Sequence, residues 1–137
     1  MKDSLDVNEW IRFAQMDYDA AKNIAILHNP VPLEIVCYHC QQSAEKVLKA
    51  YAIAKGEPII KTHDLETILE QCVRHDEQFD ILAEQCPELT SYVTFSRYPV
   101  GDDEVNEHDM KTALKYAFDI IEFTKSKLSE LGYGSKP

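Results

Sequence analysis

The sequence contains few residues that break regular structure. Only four of its 137 residues are glycine and six are proline, which excludes a collagen-like or glycine-rich fibrous chain. Hydrophobic residues make up 45% and charged residues 28%, a balance typical of a globular protein and not of a disordered one. Because this length is usual for one domain, we expect a single domain over residues 1–137, with its core over about 7–131.

Positive charge is also scarce. The chain has 14 Lys and Arg against 24 Asp and Glu, a net charge of −10. Such a surface repels phosphate, so any nucleic-acid site needs a local basic patch. The composition therefore argues against general nucleic-acid coating.

Long apolar runs are absent. The first ten residues contain four charged side chains and no apolar stretch of the kind that begins a secretory signal. The longest uncharged stretches, 23–33 and 35–44, are far shorter than the ~20 residues that cross a bilayer. We expect a cytoplasmic protein that makes no membrane contact. In that reducing compartment its four cysteines, Cys37, Cys40, Cys72 and Cys86, are expected to fill the core as thiols.

Proline and glycine divide the chain into helix-sized intervals with apolar residues at three-and-four spacing. This pattern predicts helices over about 7–28, from Leu33 to a C-cap at Gly56, from Leu65 to about Arg74, and from Met110 to Leu131. Residues 76–96 form one helix kinked at Pro87 or two short helices, and residues 101–109 form an acidic loop. The predicted fold is all-α, an up-down antiparallel helical bundle with short additional helices.

Polar side chains interrupt two of these helix faces. Asp17 lies within the apolar stripe of the first helix, so it either pairs with a cation or reaches water at the margin of the stripe. The second helix has a mixed face opposite its apolar stripe, which includes Ile35, Tyr38 and Ile53 as well as polar residues. That mixture indicates contacts on both sides of the helix, the alternative being a solvated face. The polar members are Gln42, Glu45, Lys46 and Lys49, with His39 on the flank.

Arg97 and Tyr98 end the fourth segment. Arg97 is the only Lys or Arg between Arg74 and Lys111, so we expect it to pair with Asp17 or Glu45. Two interpretations stay open, a ligand-binding residue and a clasp between helices. In the second, Asp17, Glu45 and Arg97 form an interhelical salt-bridge network without a ligand.

Four segments resemble the successive signature segments of HEPN domains, a name that stands for higher eukaryotes and prokaryotes nucleotide-binding. They are residues 10–21 (WIRFAQMDYDAA), 40–50 (CQQSAEKVLKA), 61–65 (KTHDL) and 96–99 (SRYP). The resemblance implies an all-α bundle that is commonly a homodimer. It also implies a partner, a minimal nucleotidyltransferase, in a two-component system of toxin-antitoxin type. The expected ligand is a nucleotide or RNA.

The sequence departs from the ribonuclease members of that family. They use an Arg followed four to six residues later by a His, and no Arg of this chain has that spacing. Because Arg stabilises charge and His transfers protons on one phosphate, we expect no cleavage of RNA by the usual mechanism. The alternative is a metal-independent ribonuclease with a non-standard site, in which His39 or His63 acts with Arg97.

The candidate ligand-binding site combines cations, hydrogen-bonding groups and an aromatic stacking surface. It consists of Asp17, His39, Gln42, Glu45, Lys46, Lys49, His63, Arg97 and Tyr98. A zinc site at residues 37–40 (CYHC) is disfavoured, because Cys37 and Cys40 lie on the apolar stripe and His39 does not. No cofactor is expected. A homodimer is predicted from the mixed face of the second helix and from Tyr116, Ile120 and Phe123, which lie off the stripe of the last helix.

Overall fold

A computed structural model describes residues 2–96 and 105–134, with side chains described over 7–93 and 105–134. The helices are α1 (Lys2–Leu27), α2 (Leu33–Ala54), α3 (Leu65–His75), a 3-10 helix (Glu77–Leu82), α4 (Gln85–Ser96) and α5 (Glu107–Glu130). Within these ranges no strand is present, so the all-α prediction is confirmed. None of the described helices combines the length and apolar character needed to span a bilayer.

Local sequence signals explain most helix ends. The chain leaves α2 through Gly56, whose φ of +87° favours glycine. Asp64 caps α3 by accepting a hydrogen bond from the Glu66 backbone N–H. Asn106 and Asp109 form a reciprocal capping box at the start of α5. The start of α1 was predicted too late, because apolar periodicity begins only at Val7.

The segment 76–96 forms two short helices and not one kinked helix. Asp76 begins the 3-10 helix by accepting a hydrogen bond from the backbone N–H of Gln78. Pro87 lies in the first turn of α4, where its missing N–H removes no intrahelical bond. The proline therefore marks a helix start and not a kink.

Side-chain pairs give the relative directions of α1 and α2. Asp17 of α1 pairs with His39 and Lys46 of α2, whereas Trp10 contacts Lys49, farther along α2. Lower numbers on α1 thus meet higher numbers on α2. The two helices run antiparallel.

The α1–α5 pair shows the same relation. Tyr18 lies 6.1 Å from Phe118 between ring centroids, and Gln15 accepts a hydrogen bond from Lys125 at 3.0 Å. Helix α1 is therefore antiparallel to both α2 and α5, and those two helices run parallel to each other. An up-down order through α3 and α4 stays a prediction.

The core surrounds α2 and contains all four cysteines as free thiols. Burial raises the pKa of Cys37 and of Cys86 to about 12 and raises the pKa of Cys40 and of Cys72 further. Each thiol is therefore held in its protonated, unreactive form. The prediction that these residues fill the core is confirmed.

The proposed contact residues of the last helix are placed differently. Ile120 is fully buried, and Tyr116 and Phe123 pack against the core of the same chain. Phe123 meets Phe79 edge to face at 5.1 Å between ring centroids. Using these three residues as evidence for a dimer surface was therefore wrong, because the 3-10 helix and its neighbours cover this side of α5.

Asp76 provides a test of pH-dependent stability. The hydrogen bonds from Lys127 and the Gln78 backbone hold the pKa of Asp76 below its usual value, and the ion pair with Lys127 spans 2.8 Å. A lowered folded-state pKa stabilises the fold above the unfolded-state value, about 3.9, and the effect is lost as the pH falls through the folded-state pKa. We expect Asp76→Ala to lower the free energy of unfolding by about 1–2 kcal/mol at pH 7.

Asp76→Asn keeps a capping oxygen but loses the charge, so its expected cost is about 0–1 kcal/mol. Urea unfolding at pH 7 and at pH 3 measures both variants. The difference between wild type and Asp76→Asn should shrink at pH 3. A difference that grows on acidification contradicts the assignment.

Candidate functional site

Asp17 lies in the interface of α1 and α2, where it is largely buried and has two partners. Its Oδ1 lies 3.1 Å from His39 Nδ1, and its Oδ2 accepts a hydrogen bond from Lys46 Nζ at 2.6 Å. Asp17 therefore interrupts the apolar stripe of α1 because it pairs with these two side chains, and not because it reaches water at the margin of the stripe. The Lys46 ammonium stabilises a carboxylate that burial alone would disfavour, and the His39 imidazole is its second polar partner.

Glu45 is buried more deeply, with 5% of its side chain exposed. Its Oε2 accepts a hydrogen bond from Lys49 at 2.9 Å. Its Oε1 lies 2.9 Å from His63 Nδ1 and accepts a second hydrogen bond from Gln42 at 3.3 Å. The Lys49 ammonium also lies 5.8 Å from the centroid of the Trp10 ring. Glu45 thus connects α2 to the loop before α3.

Gln41 completes this arrangement and was missed among the candidate residues. It is almost fully buried, with 1% exposure, and its Nε2 donates to the backbone carbonyl of His63 at 2.6 Å. Its Oε1 accepts a hydrogen bond from Gln42 at 3.0 Å. The signal for it was present, because Gln41 lies four residues after Cys37 and so interrupts the apolar stripe as Asp17 does on α1.

Both histidines are oriented in the same way. His39 contacts Asp17 through Nδ1, and His63 contacts Glu45 through Nδ1. Because an ionised carboxylate only accepts hydrogen bonds, Nδ1 carries a proton in each ring. Neither Nε2 has a hydrogen-bond partner among the described residues. Each Nε2 accepts a proton from a ligand when the ring is neutral and donates one when the ring is charged.

The cluster is balanced in charge and partly open to solvent. Two carboxylates face two lysines, so any net charge comes from the imidazoles. The His63 side chain is 76% exposed. Tyr38 is 45% exposed and meets the His39 ring edge to face at 5.6 Å between centroids. The cluster therefore combines two accessible imidazoles with an accessible aromatic ring.

Seven of the nine candidate residues lie in two neighbouring groups along α2. The first contains Asp17, His39 and Lys46, and the second contains Gln42, Glu45, Lys49 and His63. A mixed face of α2 that makes contacts is thus confirmed for its polar part. Arg97 and Tyr98 lie outside the described residues, so their pairing with Asp17 or Glu45 stays a prediction.

Two clefts lie on other faces of the described chain. One, of about 450 Å³, lies between α3 and the 3-10 helix. The other, of about 320 Å³, lies beside Ile11 and Tyr133. Within the part of the chain that the structure describes, no three His, Cys, Asp or Glu side chains are grouped for a metal ion. The polar cluster is favoured over these clefts as a site because each of its two histidines is paired with a carboxylate and the ring of Tyr38 lies beside one of them.

The buried pair of Glu45 and Lys49 can be tested by substitution. Glu45→Ala leaves the Lys49 ammonium buried without its carboxylate, so we expect a loss of about 3–5 kcal/mol in the free energy of unfolding. Replacing both residues by leucine removes both charges and should cost less than the single change.

Chemical denaturation measures each free energy, with Glu122→Ala on exposed α5 surface as the control, expected within about 0.5 kcal/mol of wild type. An unchanged midpoint for Glu45→Ala contradicts burial of the pair.

Comparison with known proteins identifies the family of this chain. The family model described as HEPN domain matches residues 7–128, which include most of α1, all of α2, the loop with His63 and nearly all of α5. No curated protein and no solved structure shows significant similarity to the chain. Because the match covers most of the sequence, the chain belongs to the HEPN domain family of helical, nucleotide- or RNA-related proteins.

Proposed function

We propose that the polar cluster on α2 binds the phosphate of a nucleotide or of RNA. The observation that carries this proposal is the shared geometry of His39 and His63. Each ring is held through Nδ1 by a carboxylate, which leaves Nε2 of both rings for a ligand. Charge-assisted hydrogen bonds of this kind are the strong ones in anion recognition.

The two lysines have different parts in the proposal. Lys46 has 26% of its side chain exposed, and an ammonium has three donors, so it can bind phosphate while it keeps its bond to Asp17. Lys49 has 9% exposure and lies against Glu45 and Trp10. We assign Lys49 to neutralising Glu45 and not to direct contact with a ligand.

Tyr38 supplies a stacking surface beside the proposed phosphate position. Its half-exposed ring contacts His39, one of the two proposed phosphate ligands. Stacking of a base on an aromatic ring contributes about 1–3 kcal/mol. This neighbourhood supports a nucleotide or RNA over inorganic phosphate as the ligand.

Binding of a fluorescein-labelled single-stranded RNA at low salt tests the site. We expect His63→Gln to weaken binding about tenfold, because it removes one charge-assisted hydrogen bond, and His39→Gln to have a similar effect. His63 is the better variant because its exposed side chain can be changed with little effect on folding.

His28→Gln is the matched control, since this exposed histidine follows α1 and lies about 16 Å along the helix axis from Asp17. Fluorescence anisotropy gives the affinities of the wild type and of the three variants. Equal affinities for wild type, His39→Gln and His63→Gln would remove the cluster as the site.

A second function has one specific observation in its favour. A histidine oriented by a buried carboxylate is the usual arrangement of a general acid or base, and this cluster contains two. A metal-independent ribonuclease with a non-standard site is therefore the alternative. The missing Arg-x4-6-His spacing argues against the usual mechanism.

We expect the purified chain to leave total RNA intact. The negative net charge weakens its encounter with RNA further. Incubation with total RNA, beside a variant that lacks His39, His63 and Arg97, measures this by gel electrophoresis. Degradation by the wild type and none by the variant would establish the ribonuclease instead.

We further propose that the chain is a cytoplasmic homodimer that works with a minimal nucleotidyltransferase in a toxin-antitoxin type of system. The family resemblance supports the partnership, and the four free thiols support a reducing compartment. Exposed apolar side chains on α1 and α2, Phe13, Met16 and Ile35, support association.

The homodimer predicts twice the chain mass in light scattering at micromolar concentration. Met16→Glu and Ile35→Glu should shift that mass toward the monomer, because each places a charge among the exposed apolar side chains. A single-chain mass for the wild type contradicts the dimer. Co-purification with a nucleotidyltransferase encoded beside this chain tests the partner.

A further inference from the structure

A second surface lies away from the polar cluster, on the outer face of α3. Its cleft of about 450 Å³ is lined by Glu66, Leu69, Glu70, Val73, Arg74, Asp80 and Ala83. The five α3 residues recur at the spacing of one helix face, and the 3-10 helix and Ala83 form the opposite wall. The cleft is therefore an open groove between two short helices.

The floor and the rim of this groove differ chemically. Leu69 is buried, and Val73 and Ala83 are half-buried, so the floor is apolar. Glu66, Glu70 and Asp80 are exposed along the rim. Their carboxylates make no hydrogen bond or ion pair with another described side chain.

Among the described residues that line the groove, Arg74 is the one cation, and it is already paired with a carboxylate. Arg74 donates a hydrogen bond to Glu57 at 3.1 Å, and His75 contacts the other oxygen of Glu57 at 2.7 Å. These contacts keep the Arg74 guanidinium beside the carboxylate of Glu57, in the loop before α3. The rim consequently presents three carboxylates over an apolar floor, none of them paired with a cation of the described ranges.

We propose that this groove docks a basic amphipathic helix of a partner protein. Charge complementarity selects the occupant, because three carboxylates require lysine or arginine opposite them. The floor requires apolar side chains on the same segment, spaced as on one helix face. From Glu66 to Arg74 the groove is about 12 Å long, so it accepts about two turns of the partner helix.

This docking is independent of phosphate binding. The groove uses the outer face of α3 and the 3-10 helix, whereas the polar cluster uses α1, α2 and His63. A partner can therefore hold the α3 side while RNA or a nucleotide occupies the α2 side. Failure of either binding event leaves the other intact.

Titration of the full chain with a labelled synthetic helix of leucine and lysine residues tests the groove. We expect Glu66→Gln with Glu70→Gln to weaken binding about three- to tenfold at low salt, since two surface ion pairs are lost. The matched control is Glu34→Gln with Glu122→Gln, which removes two exposed carboxylates elsewhere and leaves the same net charge. Circular dichroism checks that both variants remain helical.

A second peptide, with its leucines replaced by serine, tests the apolar floor and should bind at least fivefold more weakly. Equal weakening by both pairs of substitutions would overturn the proposal, because it would show only attraction to the net charge. Equal binding of the leucine and serine peptides would also overturn it, and so would binding of spermine with the same affinity. Either result would show that the groove recognises positive charge alone. A wild-type protein that does not bind the leucine peptide at about 100 μM, ten times the Kd of a weak peptide complex, would overturn the proposal as well.

Discussion

The fold depends on how charge is accommodated in the interface between α1 and α2. A buried carboxylate without a partner costs several kcal/mol, so Glu45 and Asp17 fix which side chains must stand opposite them. Lys49 meets this requirement for Glu45 from within α2. Lys46 meets it for Asp17 only in one register of the two helices, which also places Trp10 beside Lys49. A shift of one helical turn between α1 and α2 would separate Asp17 from Lys46 and Trp10 from Lys49. The Asp17–Lys46 ion pair thus selects the alignment, while the apolar core supplies the driving force.

Much of the fold could be predicted from local signals, because those signals act within a few residues. Gly56, Asp64 and the period of the apolar stripes each determine a helix or its end without reference to distant residues. The face of α5 could not be read in this way. Ile120 and Phe123 lie off a heptad stripe but still face the core, because the 3-10 helix with Phe79 widens the buried side of α5.

The candidate site was predictable to the extent that polar residues interrupted apolar stripes. Asp17 was found by this rule, and Gln41 obeys it too, whereas Glu45 was found because it lies on the mixed face opposite the apolar stripe of α2. The identity of each partner was not predictable, since it depends on which loop returns to which helix. The sequence favoured Arg97 as the partner of Asp17 or Glu45. Among the described residues, Asp17 pairs with Lys46 and His39. Glu45 pairs with Lys49 and His63.

The double attachment of His63 has a thermodynamic consequence. Its ring is held by Glu45, and its own carbonyl accepts a hydrogen bond from Gln41, so backbone and side chain are both ordered before any ligand arrives. Ordering one backbone residue costs about 1–2 kcal/mol in conformational entropy. For His63 this entropy is lost on folding, so ligand binding does not lose it again. This exposed loop histidine is thereby preorganised for the proposed ligand.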